Sequence, residues 1–202
     1  MKDGIRAVVT LTLITVIAGL LLGYVYELTK APIEAGESEA KMAAYKTVFS
    51  NAADFVKIDE AGSSRAEEAL KASGFPEERV DECLAAVDSS GSIIGHVLTV
   101  TTSEGYGGDI TVSMGVGLDG MLGGIEILSI SETAGLGMNA DTPEFKDRFK
   151  GKNVSQFSYT KSGASAEYEI DAISGATITT NAMVNAVNAG LVYSEALRGG
   201  QK

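Results

Sequence analysis

The sequence predicts an α+β fold, with an N-terminal transmembrane helix followed by an antiparallel-sheet domain that has flanking helices. Three observations carry this prediction. An uncharged run near the N-terminus is long enough to cross a bilayer, and the middle of the chain alternates strand-like runs with hairpin turns. The last helix-like run follows a short turn that is rich in threonine.

The anchor is predicted from residues 7–26, which carry no charge. Twenty helical residues span roughly 30 Å, which is the hydrocarbon thickness of a bilayer. A cleaved signal peptide is the alternative, with Lys2 and Arg6 as its charged start, but no small-x-small cleavage site follows the apolar run. We therefore predict an uncleaved single-pass anchor over residues 7–29.

The flanks of the anchor predict its orientation. Lys2 and Arg6 precede the span, and the positive-inside rule then places residues 1–6 in the cytoplasm. Residues 30–60 are predicted to form a stalk helix and linker. Residues 61–202 are predicted to form a domain outside the cytoplasmic (inner) membrane.

Local patterns predict the individual elements. Pro32 predicts the end of the spanning helix, because proline disfavours helix in the residue before it, and a separate stalk helix is expected over residues 34–49. The remaining predicted elements are a polar helix at 64–72, two hairpins with strands at 83–87, 93–101, 110–116 and 121–130, a short helix at 142–149, strand at Tyr159 and 168–173, and a final helix.

Composition excludes several classes of function. Beyond residue 30 the chain has 13 basic and 25 acidic residues, and such a surface repels nucleic acid. Cys83 is the one cysteine, so an internal disulfide and a multi-cysteine metal site are excluded, and no metal site is predicted. His96 is the one histidine and lies in a strand pattern, which favours a structural role over a general base. The chain thus shows no catalytic residues of its own, and any redox chemistry must come from a cofactor.

Residues 171–180 lie between a strand-like run and the last helix, whose apolar face is predicted from the four-residue spacing of Met183, Val187 and Leu191. The hydroxyls of Thr179 or Thr180 are predicted to cap that helix, and Gly175 permits a close approach of a ligand. A glycine-containing turn before a helix N-terminus suits a phosphate group. An ordinary strand-to-helix turn with threonine caps accounts for the spacing as well.

This stretch resembles the flavinylation motif of the FMN-binding domain family. The matching residues are Asp171, Ser174, Gly175, Ala176 and Thr177, followed by Thr179 and Thr180. The chain as a whole resembles the G subunits of Rnf complexes, which are membrane-bound ion-translocating ferredoxin:NAD oxidoreductases. The resemblance implies that Thr177 carries FMN covalently through a phosphoester bond, that a flavin transferase attaches it, and that other subunits of the Rnf complex are partners.

Two glycine-rich loops match recurring loops near the flavin in that family. The residues that the resemblance adds to the FMN site are Tyr106, Gly107, Glu132, Thr133, Gly135, Leu136 and Gly137. Ala134 stands where proline is common. Tyr106, Leu136 and Met138 are expected either to pack on the isoalloxazine ring or to lie in the core.

The functional prediction is therefore an electron-carrying subunit of an Rnf complex, a redox-driven translocase. Two alternatives stay open at this point. One is the C subunit of sodium-translocating NADH:quinone reductase, a close relative in the same family. The other is a non-redox, membrane-anchored binding or assembly module whose threonine-rich turn is only a helix cap.

Overall fold

A long helix and a sheet-containing domain make up the structure, a computed structural model that describes residues 2–58 and 60–199. Contacts divide the chain into two units, Met1–Ala40 and Lys41–Lys202. The described part of the first unit is helical throughout, and the second unit contains every strand that the structure describes.

Helix α1 runs from Lys2 to Val48 and is long and apolar enough, by length and composition, to cross a membrane. The apolar side chains of α1 within the first unit are exposed, as the 71% exposure of Leu22 illustrates. The prediction that Pro32 ends the spanning helix and that a separate stalk helix follows is wrong, because α1 continues through Pro32. A proline removes one helical hydrogen bond, and the turns on both sides keep theirs, so the helix persists.

The sheet has five antiparallel strands in the order β1-β2-β3-β4-β5, which confirms the predicted antiparallel α+β architecture. The strands are β1 (Asp54–Lys57), β2 (Glu78–Val87), β3 (Ile93–Thr102), β4 (Ile110–Gly117) and β5 (Leu122–Ser129). Both predicted hairpins are present. Strand β1 and the first half of β2 were not predicted from the sequence. In that half of β2, charged residues occupy positions that an alternating pattern would fill with apolar residues.

The remaining elements are short except for the last. They are α2 (Glu60–Ala72), a 3₁₀ helix (Gly137–Asp141), α3 (Pro143–Lys146), the parallel pair β6 (Ser158–Thr160) and β7 (Glu169–Asp171), and α4 (Thr177–Gly199). The helix predicted over residues 142–149 is helical only over α3, and residues 147–151 form turns. The strand predicted over residues 168–173 is likewise shorter, because only β7 pairs.

Helix α4 packs on one face of the sheet, against β3 and β4, and α2 packs on α4. Met183 and Val187 on α4 are fully buried in this core. Gly190 allows the closest approach, since a Cβ atom there would lie 2.1 Å from the Sδ atom of Met114 on β4. The face of α4 that the sequence pattern predicted to be apolar is therefore the face that contacts the sheet.

The last turns of α1 pack on the opposite face of the sheet. Tyr45 and Val48 are buried there, and the Tyr45 hydroxyl donates a hydrogen bond of 2.8 Å to Glu82 Oε2. Gly115 and Gly123 allow the contact, because a Cβ atom on either would lie 2.4 Å from the carbonyl oxygen of Val48. The end of α1 is thus a part of the second unit's fold.

Strand direction brings the functional loops together. Strands β3 and β5 both run antiparallel to β4, so the loops that follow them leave the same edge of the sheet. The residues at the start of α4 share a cavity with these two loops.

Candidate functional site

A cavity of about 560 Å³ lies at this edge of the sheet. Its volume falls in the range of roughly 300–1,000 Å³ that is typical of sites for small molecules and cofactors. Three segments line it: the loop after β3 with Tyr106, the loop after β5 with Glu132, Thr133, Leu136 and Gly137, and the start of α4 with Gly175, Ala176, Thr177, Ile178 and Thr179. Nine of the residues predicted from the sequence are therefore brought together here.

A tight turn directly precedes α4. The amide of Ala176 donates a hydrogen bond of 3.0 Å to the Ile173 carbonyl, and Gly175 has a φ of +74°, which is the arrangement of a type II turn. The Thr180 hydroxyl fastens this turn, since it accepts a bond from the Ile173 amide at 3.0 Å and donates one to the Ala176 carbonyl at 2.9 Å.

The prediction that Thr179 or Thr180 caps the helix is wrong. Helix α4 begins at Thr177, so Thr180 is already in its first turn, and its hydroxyl is committed to the preceding turn. The Thr179 side chain is 1% exposed and is not bonded to the first amides. Without a side-chain cap from these residues, the start of the helix is open to another acceptor.

The first amides of α4 point to that acceptor. The first intrahelical hydrogen bond runs from the Thr180 amide to the Ala176 carbonyl at 3.0 Å, so the amides of residues 177–179 have no acceptor within the helix. The helix dipole adds a positive partial charge at the same end. An anion such as a phosphate group is the ligand that this arrangement favours.

The hydroxyl groups of the motif differ in access. Thr177 lines the cavity and is partly exposed, whereas Thr179 and Thr180 are buried. Ser174 is exposed but does not line the cavity. Thr177 is therefore the hydroxyl-bearing residue of this stretch that both lines the cavity and is partly exposed.

Glu132 has the only formal charge among the described residues that line the cavity. It is 9% exposed, and its Oε1 atom accepts a hydrogen bond of 3.2 Å from the Gly107 amide. Gly137 packs directly against the carboxylate, since a Cβ atom there would lie 2.6 Å from Oε2. The described part of the cavity wall thus contains one carboxylate and no lysine or arginine.

Apolar side chains surround the mouth of the cavity. Tyr106, Leu136 and Ile178 are 71%, 43% and 54% exposed, and each comes from a different lining segment. The Leu136 Cδ2 atom lies 3.0 Å from where a Cβ atom on Gly175 would be, so the absence of a side chain at Gly175 lets Leu136 close that side. Ile178 was not predicted as a site residue. Its position between two threonines in the first turn of a helix was the signal that could have indicated it.

Five of the predicted site residues lie outside the cavity lining, and so does Met138. Asp171 is turned away, because its Oδ1 atom accepts a hydrogen bond of 2.6 Å from the Ala164 amide. Thr180 holds the turn before α4, and Ser174 belongs to that same turn. Gly107 and Gly135 belong to the backbone of the two loops. These residues support the site and do not form its surface.

The remaining reactive groups lie elsewhere. His96 is 1% exposed, its Nδ1 atom lies 3.2 Å from Ser194 Oγ, and burial followed by the nearby charge of Arg198 lowers its pKa to about 4. Burial, with a smaller contribution from Glu82, raises the pKa of Cys83 to about 12, so its thiol stays protonated. Among the side chains that the structure describes, no group of three or more His, Cys, Asp or Glu residues is arranged to hold a metal ion.

Comparison with known proteins identifies the family. Residues 105–192 match the model of the FMN-binding domain family. The G subunit of an ion-translocating oxidoreductase complex from Methanosarcina acetivorans is 33% identical over 199 residues, which cover 98% of each chain. The chain belongs to the family of these G subunits.

A second G subunit supports this assignment, and a solved structure shows the fold. The G subunit of the Na⁺-translocating ferredoxin:NAD⁺ oxidoreductase complex from Acetobacterium woodii is 31% identical over 182 residues, covering 88% of this chain and 85% of that one. The crystal structure of Shewanella oneidensis NqrC superposes with a TM-score of 0.51 at 17% identity and covers 75% of this chain and 72% of that one. At that identity the likeness shows a shared fold.

Proposed function

We propose that this member of the G-subunit family is the electron-carrying subunit of a membrane-bound, ion-translocating ferredoxin:NAD oxidoreductase, and that it carries FMN on Thr177 through a phosphoester bond. One observation carries the proposal: a partly exposed threonine, Thr177, lies at the open N-terminus of α4 and lines a cavity formed by the region that matches the FMN-binding domain family. The curated relatives that match most of this chain are G subunits, which favours this assignment over the C subunit of the quinone reductase.

The chain's own groups fit a phosphate on Thr177. A phosphate bonded to this hydroxyl would be next to the amides of residues 177–179, which have no acceptor within the helix. The α4 dipole stabilises a negative charge at that place. Thr180 and Gly175 hold the preceding turn in the shape that leaves those amides accessible.

The charge of the cavity favours a covalent bond over reversible binding. A free phosphomonoester carries about −1.5 to −2 charges at pH 7, and proteins usually neutralise such a group with arginine or lysine. The described lining residues include Glu132 and no cationic side chain, so they offer a free dianion little retention. A phosphodiester carries one negative charge, and its bond to Thr177 makes neutralisation by a cation unnecessary.

The mouth of the cavity suits an aromatic ring system. Tyr106, Leu136 and Ile178 present apolar surface on three sides, and a flat apolar ring gains free energy when it covers such surface. When bound, FMN supplies the redox chemistry by accepting and passing electrons. The protein groups fix the phosphate and orient the ring, and attachment through the phosphate leaves the ring available to neighbouring redox subunits.

Attachment is proposed to require a separate flavin transferase. The Thr177 oxygen forms a bond to the phosphorus of the FMN half of FAD, the pyrophosphate bond breaks, AMP leaves, and the hydroxyl proton passes to a base of the transferase. No described cavity residue other than Glu132 is an ionisable carboxylate, so this chain has little acid–base machinery of its own for the step.

The proposed arrangement in the cell places residues 1–6 in the cytoplasm, residues 7–29 in the membrane, residues 30–60 as a connecting segment and residues 61–202 outside. The long apolar α1 supports a membrane anchor, and the basic residues before it support the orientation. A domain outside the cytoplasm has no access to the cytoplasmic FMN pool, so a covalent bond also prevents loss of the cofactor. The proposed partners are the other subunits of the complex.

The test compares the full-length wild-type protein with two matched variants, Thr177→Val and Thr179→Val. All three proteins are made together with the flavin transferase. The wild-type band and the Thr179→Val band should fluoresce as a flavin in a denaturing gel under ultraviolet light, and the Thr177→Val band should be dark. In mass spectrometry, the mass of the peptide that spans residues 171–180 should exceed the mass of its amino acids by that of FMN less one water. A dark wild-type band, or a fluorescent Thr177→Val band, contradicts the proposal.

A further inference from the structure

The loop after β3 covers one side of the cavity with Tyr106 and contains three glycines, Gly105, Gly107 and Gly108. Glycine has the largest backbone freedom of any residue, so a loop of this composition loses more entropy than most when it is held in one conformation. Two carboxylates fasten it. The first is Glu132, which accepts the Gly107 amide at 3.2 Å.

The second carboxylate belongs to the loop itself. Glu104 Oε2 accepts a hydrogen bond of 2.6 Å from the Asn185 side-chain amide and a second of 3.3 Å from Asn181. All three residues are half-buried. Hydrogen bonds to an ionised acceptor are stronger than those between neutral groups, so this contact is suited to hold a glycine-rich segment.

The two asparagines share a helix face with the proposed attachment residue. Thr177, Asn181 and Asn185 follow one another at intervals of four residues on α4, so they form a stripe along one side of the helix. At about 1.5 Å of rise per residue, Asn181 and Asn185 lie roughly 6 and 12 Å along the axis from Thr177. Glu104 therefore connects the Tyr106 loop to the same side of α4 that carries the Thr177 hydroxyl.

We infer that Glu104 is a positioning residue that fastens the Tyr106 loop to the Thr177 face of α4 and so fixes one wall of the cavity. Its contact does not require a bound cofactor, whereas its role in orienting a flavin rests on the proposed function. The family match begins at residue 105, so Glu104 lies just outside the region that the FMN-binding domain defines.

The natural chain has no tryptophan, which gives a selective reporter for this contact. The Tyr106→Trp variant of the full-length protein, made without flavin transferase and kept in detergent, emits from the loop alone. In that background, Glu104→Ala should lower the fluorescence anisotropy of the reporter and raise its acrylamide quenching constant toward the value in urea. Asn185→Ala should act in the same direction, and the double variant should go no further than Glu104→Ala alone.

Two controls separate the contact from other effects. Glu104→Gln keeps an oxygen that can accept both amides and removes the charge, so it should loosen the reporter less than Glu104→Ala does. Glu195→Ala removes an exposed carboxylate elsewhere on α4 and should change nothing. Circular dichroism identifies any variant that fails to fold, and Asn185→Ala then provides the result in place of Glu104→Ala.

The flavinylated protein tests whether Glu104 helps to orient the flavin. Flavin on Thr177 should quench the reporter at residue 106, and Glu104→Ala should relieve that quenching while leaving the mass of the flavinylated peptide unchanged. An unchanged reporter in Glu104→Ala and Asn185→Ala, or an equal loosening by Glu104→Gln, overturns the inference. Absence of the flavin mass from every protein would overturn the proposed function and leave the measurement on the unmodified protein valid.

Discussion

The substitution Gly137→Ala introduces a single methyl group at a crowded point of the cavity wall. A Cβ atom at this position would lie 2.6 Å from Glu132 Oε2, 2.7 Å from Thr179 Oγ1 and 2.8 Å from Glu132 Cβ. Because the near end of the Glu132 side chain is among these atoms, rotation of the carboxylate alone does not relieve the contact. The carboxylate must move, and its bond to the Gly107 amide is then lost.

The expected cost follows from these contacts. Overpacking of a buried site costs about 1–3 kcal/mol, and loss of the partly buried hydrogen bond adds about 1 kcal/mol. The free energy of unfolding should therefore fall by about 2–4 kcal/mol in urea titrations of the full-length protein in detergent. In the flavinylated protein, iodide should quench the flavin fluorescence more strongly, because the displaced Glu132 no longer holds the loop beside the cavity.

Gly135→Ala is the matched control in the same loop. Gly135 has a φ of +76°, and no atom lies within 4 Å of the position that an alanine methyl group would take, so alanine there costs roughly 1–2 kcal/mol through backbone strain alone. It should destabilise the protein and leave iodide quenching unchanged. If Gly137→Ala matches this control in both stability and quenching, crowding against Glu132 is refuted as the cause.

Two further predictions concern the core. The pKa of His96 is lowered from 6.5 to about 4, so the unfolded chain binds a proton below pH 6.5 that the folded chain refuses until about pH 4. The free energy of unfolding should lose about 3 kcal/mol as the pH falls through this window, and urea titrations of His96→Gln should lack that component. Asn188 is 2% exposed and bonds both the amide and the carbonyl of Phe157, at 2.7 and 3.0 Å. Asn188→Ala leaves both backbone groups unpaired and should cost about 2–5 kcal/mol, whereas an unfolding midpoint equal to the wild type would contradict this expectation.

The fold could be predicted where a periodic apolar pattern exists. The two hairpins and the apolar face of α4 follow such patterns, and the structure confirms them. The pattern failed at Pro32, where a local rule for one residue is outweighed by the hydrogen bonds of the surrounding helix. It also failed at β1, whose four residues are mostly exposed and are held by pairing with β2, a distant contact that local composition does not encode.

The location of the site could be predicted from a motif, but the separate roles of the motif's residues could not. Thr177 and Thr180 look equivalent in the sequence. In the structure Thr177 is partly exposed, whereas Thr180 is buried and its hydroxyl bonds the turn at Gly175. Asp171 is part of the motif, yet its side chain bonds the Ala164 amide away from the cavity. Glu104 could not be found by local pattern, because its partners on α4 lie more than seventy residues away in the chain.

The charge of the cavity wall affects how the protein would acquire or regain a cofactor. With Glu132 as the one charged group among the described lining residues, the wall offers a free phosphomonoester no cationic side chain. If FMN is esterified to Thr177 as proposed, a copy that leaves biosynthesis unloaded, or one whose ester is cleaved, would need the flavin transferase to be loaded. The number of flavin-bearing molecules would then follow the supply of the transferase and not the concentration of free FMN.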